Sequence, residues 1–297
     1  MYSVKTRVFG MKGTFGTSLS VIVPIGPMAG KLENLLSWID IIQDYSAQVI
    51  LVVDEKNDGT YDELILALER KKIVGSVLVL NAVCNGPGNA RNLGTCEATG
   101  TWIAYWDSDD NPNVKQVFRA IQESKEDVDA IVCRYEEIHS NGRITAPILS
   151  NLQIGLSPGI WRFIFRRESF AELEFPNLRL AEDQVFLIRS RVFSKNLKFH
   201  NVVSYQYIHG GANQLTKEKS NLPDLLKALD LLSDLNSTGT ITAPKEKNFL
   251  YVMILRLCLT SLKNNTAKTL PYFMKNPSVL MISLKAIQIM IFARSKE

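Results

Sequence analysis

The chain has 297 residues, enough for one large α/β domain or for such a domain with an appendage. Hydrophobic residues make up 46% and charged residues 22%, a globular mixture that can bury a core. The formal net charge of +4 is too small to indicate a nucleic-acid-binding protein.

Cysteine spacing and the N-terminal sequence favour a cytoplasmic protein. The four cysteines show neither a C-x-x-C motif nor paired spacing, which is typical of reduced thiols. Residues 1–17 carry no apolar stretch of secretory length, so we expect an N-terminal tail without a signal peptide.

Strands and helices alternate through the first 110 residues. Four apolar, β-branched runs predict buried strands, at residues 19–24, 48–53, 76–80 and 101–106. Three segments between them are predicted to be helical, at residues 32–42, 61–72 and 89–99. This alternation predicts βαβ units, and therefore an α/β fold with a mostly parallel central sheet and flanking helices.

The second half of the sequence is less regular until it becomes helical. Three further strands are predicted, at residues 128–133, 160–165 and 203–207. Helical periodicity begins at Leu222, and two strongly apolar helical stretches follow, at residues 249–262 and 279–293. We therefore expect a helical C-terminal region over residues 216–297.

This C-terminal region is basic. From residue 244 onward, nine Lys and Arg residues face two Glu residues, a net charge of 9 − 2 = +7, which leaves 4 − 7 = −3 for the rest. Neither apolar stretch reaches the roughly 20 apolar residues that a spanning helix needs. Both resemble interfacial amphipathic helices that contact a membrane surface. The alternative is that these helices only cap the core.

Polar residues follow three of the predicted strands where each strand ends. Asp54 follows the second strand, residues 85–88 follow the third, and residues 107–110 follow the fourth. In open α/β sheets, ligands bind beyond the carboxyl ends of the strands. The sequence therefore predicts a binding site at this edge of the sheet.

Three carboxylates, those of Asp107, Asp109 and Asp110, lie within the sequence WDSDDN. A calcium loop does not fit, because its sixth and twelfth positions would be Pro112 and Phe118 instead of Gly and Glu. A solvated turn is a second interpretation, since Asp, Ser and Asn favour turns. The third is Mg²⁺ or Mn²⁺ shared with a phosphate, since these ions take one or two carboxylates plus phosphate oxygens. Asp107 and Asp109 would then point the same way from the strand.

A glycine-containing loop, NGPGNARN at residues 85–92, begins with Asn85 and enters the third predicted helix. Helix N-termini attract phosphate, and Arg91 adds a positive charge that could instead form an ion pair at the helix start. The loop lacks the G-K-[ST] of a Walker loop and the last glycine of the dinucleotide motif. It therefore predicts a phosphate contact of another type.

Four motifs in this order resemble those of family-2 glycosyltransferases of the GT-A fold. They are LSVIVP, VVDEKNDGT, NGPGNARNLGTCEATGTWIAYWDSDD and LAEDQVF. The resemblance covers residues 18–215 and implies a GT-A domain with a nucleotide-binding half at 18–110 and an acceptor half at 111–215. It also implies inverting transfer of a sugar from a nucleotide-diphosphate donor, often with Mn²⁺ or Mg²⁺ as the cofactor.

The resemblance also implies roles for individual residues. Asp107 and Asp109 match the D-x-D pair that binds the metal, with Asp107 also close to the ribose. Asp54 matches the acid that contacts the base, commonly uracil, and Pro24 lies in the first nucleotide loop. Asp183 matches the general base that takes the proton of the acceptor hydroxyl. The alternative for Asp183 is an acid that only favours the helix dipole.

Two positions depart from the family pattern. The motif VVDEKNDGT has extra residues between its first acid and its glycine, so Asp58 is an alternative to Asp54 at the base. His209 matches only loosely the basic residue that faces the diphosphate or the metal in the family. A structural histidine is the alternative.

Together these features predict an inverting, metal-dependent glycosyltransferase, with a UDP-sugar as donor and a glycan or lipid-linked saccharide as acceptor. We expect an enzyme of bacterial surface-polysaccharide assembly at the inner face of the cell membrane, without a nucleic-acid partner. A non-catalytic GT-A-fold binding subunit is one alternative. A sugar-nucleotide pyrophosphorylase is the other, although residues 24–31 lack the Arg of its phosphate loop.

Overall fold

The computed structural model of the chain describes residues 4–10, 18–27, 31–56, 59–73, 75–124, 127–147, 157–209 and 221–294. One sheet runs through this part of the chain and separates two hydrophobic clusters. Along a central strand, Val21 and Val23 point into one cluster and Ile22 into the other, as the two-residue period of a strand requires. Both faces of the sheet are therefore covered.

The strands of the described residues are β1 Lys5–Phe9, β2 Leu19–Ile25, β3 Ala47–Asp54, β4 Ser76–Ala82, β5 Trp102–Tyr105, β6 Asn111–Pro112, β7 Ala130–Ile138, β8 Ile144–Thr145, β9 Phe163–Arg166 and β10 Leu197–Ile208. Their order is β1-β4-β3-β2-β5-β9-β7-β10-β6, and β8 pairs with β7 outside this path. Strands β4, β3, β2 and β5 are parallel, and so are β7 and β10. This mixed sheet, with β4, β3, β2 and β5 as its parallel part, confirms the predicted α/β fold class.

The helices of the described residues are α1 Leu32–Ile42, α2 Thr60–Lys71, α3 Pro87–Cys96, α4 Val114–Gln122, α5 Glu182–Arg189, α6 Leu222–Ser237, α7 Pro244–Asn264, α8 Thr266–Lys275 and α9 Pro277–Arg294. Helices α1, α2 and α4 bury their apolar side chains against one face of the sheet. Helix α3, helix α5 and the four C-terminal helices cover the other face. Helix α3 begins at Pro87, earlier than predicted. Proline is favourable at the first helical position, because a backbone N–H there would have no hydrogen-bond partner within the helix.

Helix α3 packs closely on strand β2 because Gly94 faces that strand. A Cβ at Gly94 would lie 2.5 Å from Ile22 Cγ2, so a larger residue would push the helix away from the sheet. This contact fixes the position of α3, and with it the loop at residues 85–88 that precedes the helix.

The predicted strand at residues 160–165 is wrong in its first half. Residues Ile160–Arg162 form a 3₁₀ turn, and β9 begins only at Phe163. The Trp161 ring folds back over Gly159, where a Cβ would lie 2.3 Å from the indole. Trp161 therefore occupies a turn and not the alternating strand that its sequence suggested.

The C-terminal region is helical, as its periodicity predicted. Helix α6 begins at Leu222, and the two apolar stretches form α7 and α9. Helix α8 was not predicted, since it is short and contains Pro271; Asn265 caps it by accepting a hydrogen bond from Lys268 N at 3.1 Å. Within the described residues, no helix combines the length and apolar character needed to cross a membrane.

Strand β1 lies inside the segment predicted as an N-terminal tail. It pairs antiparallel with β4, with Lys5 opposite Asn81 and Phe9 opposite Val77. The sequence KTRVF has too few apolar residues to show the alternation of a half-buried strand, and four of its five residues are exposed. The sequence pattern therefore does not indicate this strand.

Candidate active site

A cavity of about 860 Å³ opens at the carboxyl ends of β2, β3 and β5, which lies within the range of ligand pockets, roughly 300–1,000 Å³. Among the residues that line it are eight that the sequence analysis predicted: Pro24, Asp54, Asn85, Arg91, Asp107, Asp109, Asp183 and His209. Asp58, the alternative to Asp54, lies outside the described residues. The structure thus brings together all the predicted site residues that it describes.

The loop before helix α3 has an unusual backbone conformation. Asn85 has a φ of 57° and Gly86 a φ of 130°, the latter favourable only for glycine. A Cβ at Gly86 would also lie 3.3 Å from Arg179 Cα and from Leu178 O. Lys56 Nζ donates to Asn85 Oδ1 and so ties the loop to the end of β3. The loop therefore presents a helix N-terminus with a nearby cation to the cavity.

Asp54 ends strand β3 and lines the cavity from that side. Its Oδ1 accepts hydrogen bonds from Cys84 N at 3.2 Å and from Lys56 N at 3.4 Å. These bonds hold the carboxylate next to the loop at residues 85–88, because Cys84 directly precedes that loop.

The three carboxylates of WDSDDN have different surroundings. Asp109 accepts from Lys31 Nζ at 3.1 Å, and Asp107 accepts from Arg91 Nη2 at 2.9 Å. Asp110 is buried and accepts from Tyr205 OH at 3.0 Å and from Ile208 N at 2.8 Å. Its carboxylate thus joins the turn to strand β10.

The expectation that Asp107 and Asp109 extend from one pleated strand is wrong. Strand β5 ends at Tyr105, and residues 107–109 belong to the turn that follows it. Both carboxylates nevertheless line the same cavity, since the turn curves around it.

Arg91 bridges two acids at the back of the cavity. Its side chain is buried, with Nη2 on Asp107 and Nη1 2.5 Å from Glu182 Oε1. Burial alone would lower the pKa of Arg91, but the carboxylates of Asp107, Glu182 and Asp183 outweigh it and raise that pKa. The predicted ion pair at the helix start is therefore present, while a contact of Arg91 with a diphosphate stays a prediction.

Asp183 lies in the first turn of helix α5, on the cavity wall. The chain enters this helix through Ala181, whose φ of 67° is left-handed. Asp183 Oδ1 accepts from Gln184 N at 2.8 Å, and the side chain is only partly buried. Glu182, its neighbour in sequence, is turned inward to Arg91. The two adjacent acids thus point to different partners, and Asp183 keeps access to the cavity.

His209 contacts residues that the sequence analysis did not connect with it. Its Nε2 lies 3.2 Å from Glu137 Oε2, and its ring stacks on that of His139 with centroids 4.6 Å apart. Glu137 Oε1 accepts from Tyr135 OH at 3.0 Å, which orients this carboxylate. The predicted role of His209 toward the metal or the diphosphate stays a prediction.

Aromatic side chains form the wall of the cavity near β10. The Trp161 ring stacks on Tyr205 with centroids 4.7 Å apart and on Tyr207 at 5.7 Å. Tyr135 packs edge-on against the same indole at 4.6 Å. Because its ring is covered by tyrosines and only 8% exposed, Trp161 belongs mainly to the core.

The cavity also contains residues for which sequence patterns predicted no role. Six such residues are charged: Lys31, Lys56, Glu137, Arg179, Glu182 and Arg256. Glu182 directly precedes Asp183 in the motif LAEDQVF, so this motif could have indicated that it lies at the site. Arg256 lies in helix α7, where periodicity alone does not show which face meets the cavity.

The acids of the turn fit a divalent cation. Asp107 and Asp109 both offer carboxylate oxygens to the cavity, the ligand type that Mg²⁺ and Mn²⁺ prefer. Burial raises the pKa of Asp107, and the charges of Asp109 and Asp183 raise it further against the opposing effect of Arg91. A cation would offset this repulsion, so the donor set and its electrostatics suit such an ion.

Residues 29–197, more than half of the chain, match the family described as Glycosyl transferase family 2. The uncharacterized glycosyltransferase EpsJ of Bacillus subtilis (strain 168) is 26% identical over 221 residues, covering 67% of this chain and 63% of EpsJ. EpsH of the same organism, also named as a glycosyltransferase, is 26% identical over 180 residues, covering 54% of this chain and 52% of EpsH. The chain thus spans less than two thirds of both relatives.

Solved structures share the fold. S. aureus TarS 1-349, in complex with UDP-GlcNAc, superposes with a TM-score of 0.62 at 19% identity, over 83% of this chain and 74% of that chain. The mannosyltransferase PcManGT from Pyrobaculum calidifontis, in complex with GDP-Man and Mn²⁺, gives 0.56 at 16% identity, over 93% and 81%. These likenesses confirm the predicted GT-A fold.

The family match, the fold and the arrangement of the motif residues around one cavity agree. The resemblance that the four motifs suggested is thereby confirmed. The chain belongs to glycosyl transferase family 2, a family of glycosyltransferases.

Proposed function

We propose that this chain is an inverting, metal-dependent glycosyltransferase. Its donor is a nucleotide-diphosphate sugar, a UDP-sugar, and its acceptor is a hydroxyl of a glycan or of a lipid-linked saccharide. The observation that carries this proposal is the convergence of Asp54, Asp107, Asp109 and Asp183 on one cavity. This arrangement combines acids for a nucleotide, for a cation and for proton removal.

The nucleotide is proposed to bind between β2, β3 and the loop at residues 85–88. Asp54, fixed by Cys84 N, would accept a hydrogen bond from the base. Lys56 and the N-terminus of α3 would face negative charge on the donor. The TarS structure with UDP-GlcNAc supports a uridine nucleotide, and the PcManGT structure with GDP-Man makes guanosine the first alternative to test.

The cation is proposed to bind at Asp107 and Asp109, with His209 as the further ligand predicted from the sequence. When bound, such an ion acts as a Lewis acid that neutralises the leaving diphosphate. Support comes from the carboxylates facing the cavity and from the Mn²⁺ in the PcManGT structure. Lys31 and Arg91 already neutralise part of the charge of the two acids.

Asp183 is proposed as the general base. It lies on the cavity wall and is partly accessible, and among the described residues its side chain accepts one hydrogen bond, at Oδ1 from Gln184 N. Its carboxylate would take the proton from the acceptor hydroxyl as the oxygen attacks the anomeric carbon. Attack opposite the leaving diphosphate inverts that carbon.

The first test is calorimetric titration with UDP, with and without Mn²⁺. We expect Mn²⁺ to strengthen UDP binding by about tenfold or more, and we expect Asp109→Asn to remove this difference. Asp62→Asn, at an exposed acid in helix α2, is the matched control and should behave as wild type. UDP binding that ignores Mn²⁺, or no UDP binding by folded protein, would contradict the proposal. In the second case GDP is tested next, and failure of both nucleotides favours a non-catalytic binding subunit.

The C-terminal region, residues 216–297, is proposed to contact the inner face of the cell membrane. Its helices leave large apolar side chains exposed, among them Leu259 at 59%, Met274 at 84%, Met281 at 58% and Leu284 at 56%. Several Lys residues lie on the same helices. Apolar side chains beside basic ones suit anionic lipid surfaces, and such a location suits a lipid-linked acceptor.

Co-sedimentation with vesicles that contain anionic lipid tests the membrane contact. Leu284→Asp should reduce the bound fraction several-fold, whereas Leu66→Asp, at an exposed leucine of helix α2, should not. Equal binding of both variants and wild type would assign these helices to core packing alone.

A further inference from the structure

Helix α7 adds a charged residue to the cavity from outside the matched family region. The family match ends at residue 197, whereas Arg256 lies in the middle of Pro244–Asn264 and still lines the cavity. The helix is firmly anchored, since Leu250, Met253 and Leu257 are buried in the cluster that also contains helix α5. The position of the guanidinium is therefore set by a rigid element and not by a loop.

In the part of the chain that the structure describes, Arg256 differs from the other cations of the cavity wall in having no hydrogen-bonded or ion-paired partner. Lys31 is paired with Asp109, Lys56 with Asn85, and Arg91 with Asp107 and Glu182. Within the residues that the structure describes, the guanidinium of Arg256 makes no hydrogen bond and no ion pair. A partly buried cation without a directly bonded counter-ion is only partly compensated, and an anionic ligand would offset the remaining cost of its burial.

The electrostatic neighbours of Arg256 locate it in the cavity. Burial lowers the pKa of Arg256, whereas electrostatic interaction with four groups raises it; these are Asp183, Tyr135, Tyr207 and Glu137. Asp183 is the proposed base, so the reacting hydroxyl must come within roughly 2.6–3.2 Å of it. Arg256 lines the same cavity as Asp183 and interacts electrostatically with that carboxylate, which assigns its guanidinium to the acceptor side.

We infer that Arg256 forms an anion-binding subsite for the acceptor, which therefore carries a negatively charged group near the hydroxyl that reacts. This inference rests on the proposed function, because it takes Asp183 as the base. A phosphate oxygen and a uronate carboxylate both match a guanidinium fork. The two possible sources share this chemistry and can be separated by experiment.

Binding of small probes to the full chain, saturated with UDP and Mn²⁺, tests the inference by ligand-observed NMR. The probes are methyl β-glucuronide, glucose 1-phosphate and, as the neutral reference, methyl β-glucoside. We expect at least one anionic probe to bind about tenfold more tightly than the neutral one. Comparison of glucose 1-phosphate with methyl β-glucuronide then shows whether the subsite prefers a phosphate or a carboxylate.

Variants at residue 256 assign the effect to its guanidinium. Arg256→Met keeps the apolar stem and should remove the preference for the anionic probe, while Arg256→Lys should retain about half of it or less. Lys263→Ala removes a positive charge from an exposed position of the same helix and is the control. Its probe binding should equal that of wild type.

Three results would overturn the inference. The first is equal or undetectable binding of charged and neutral probes by wild type. The second is an unchanged preference in folded Arg256→Met. The third is a loss of UDP affinity of about tenfold or more in that variant, which would place Arg256 on the donor diphosphate. Failure of wild type to bind UDP at all refutes the proposed function instead, and the probes titrated without UDP then still report whether Arg256 binds anions.

Discussion

The guanidinium of Arg91 joins helix α3 to helix α5 through Glu182, with 2.5 Å between Nη1 and Oε1. Both side chains are buried, and Arg91 also holds Asp107. One arginine therefore connects the helix of the phosphate loop, the helix of the proposed base and the acidic turn.

We expect Arg91→Met to destabilise the fold by about 3–5 kcal/mol, because it leaves Glu182 buried without its cation. Urea denaturation measures this loss. The double variant Arg91→Met, Glu182→Met should be more stable than the single variant, since the unpaired carboxylate is gone. A double variant no more stable than the single one would show that the pair contributes packing and not charge compensation.

Gly86→Ala should weaken UDP binding and stability together. The φ of 130° is unfavourable for alanine, and its Cβ would be crowded by backbone atoms of Arg179 and Leu178 at 3.3 Å; such strain costs about 1–3 kcal/mol. Gly142→Ala is the control, because its φ of 78° is also positive but nothing lies within 4 Å of the added Cβ. Thermal unfolding and UDP titration of both variants provide the comparison. Equal losses in the two variants would show that the positive φ alone, and not the contacts of the added Cβ, causes the effect.

Asp110→Asn separates the structural acid of the turn from the two acids that face the cavity. Tyr205 OH and Ile208 N donate to different oxygens of Asp110, and an amide keeps only one acceptor oxygen, so we expect a loss of about 1–3 kcal/mol in the free energy of unfolding. The dependence of UDP binding on Mn²⁺ should persist. If that dependence disappears while the protein remains folded, Asp110 also holds the cation.

Asp183→Asn should lower the turnover of sugar transfer by roughly 10²–10⁴-fold, since an amide cannot take a proton. UDP affinity should stay near that of wild type, because the proposed base acts on the acceptor. Single-turnover transfer and UDP titration measure the two effects separately. A variant that loses UDP affinity but keeps its turnover would assign Asp183 to the donor.

Glu246 makes stability depend on pH. Burial raises its pKa above 4.5, although Ser194 N donates to the carboxylate at 2.7 Å. The folded chain thus binds this proton more tightly than the unfolded chain. The stabilising contribution of protonated Glu246 is therefore complete below the pKa of the unfolded chain. It is lost as the pH rises through the pKa of the folded chain. We expect the free energy of unfolding of wild type to fall relative to that of Glu246→Gln as the pH rises above 4.5. Glu172→Gln, at an exposed position, should show no such relative change.

Much of the site follows from where strands end. Asp54 and Asp107 are more than fifty residues apart in sequence. Strands β3 and β5, which precede them, both pair parallel with β2, so their carboxyl ends lie at the same edge of the sheet. The hydrophobic runs that mark these strands therefore predict one shared site. The glycine loop adds to it because helix α3 packs back on β2 through Gly94.

Contacts between distant side chains could not be predicted in the same way. The stacking of His139 on His209 depends on the pairing of β7 with β10, whose register shifts between His200 and Tyr205. Arg256 depends on the rotation of helix α7 about its axis, and α7 is apolar around most of its circumference. A single sequence determines neither the register of β10 on β7 nor the rotation of helix α7.

Strand β1 has a consequence for solubility. Without it, β4 would be the edge of the sheet, a seven-residue, nearly continuously buried strand with its backbone groups open to another chain. The strand that covers it is short and carries Lys5 and Arg7 on exposed positions, features that discourage edge-to-edge association. At the opposite end of the sheet, β6 has only two residues. On the β1 side, the described part of the sheet thus ends in a short, charged strand instead of the apolar edge of β4.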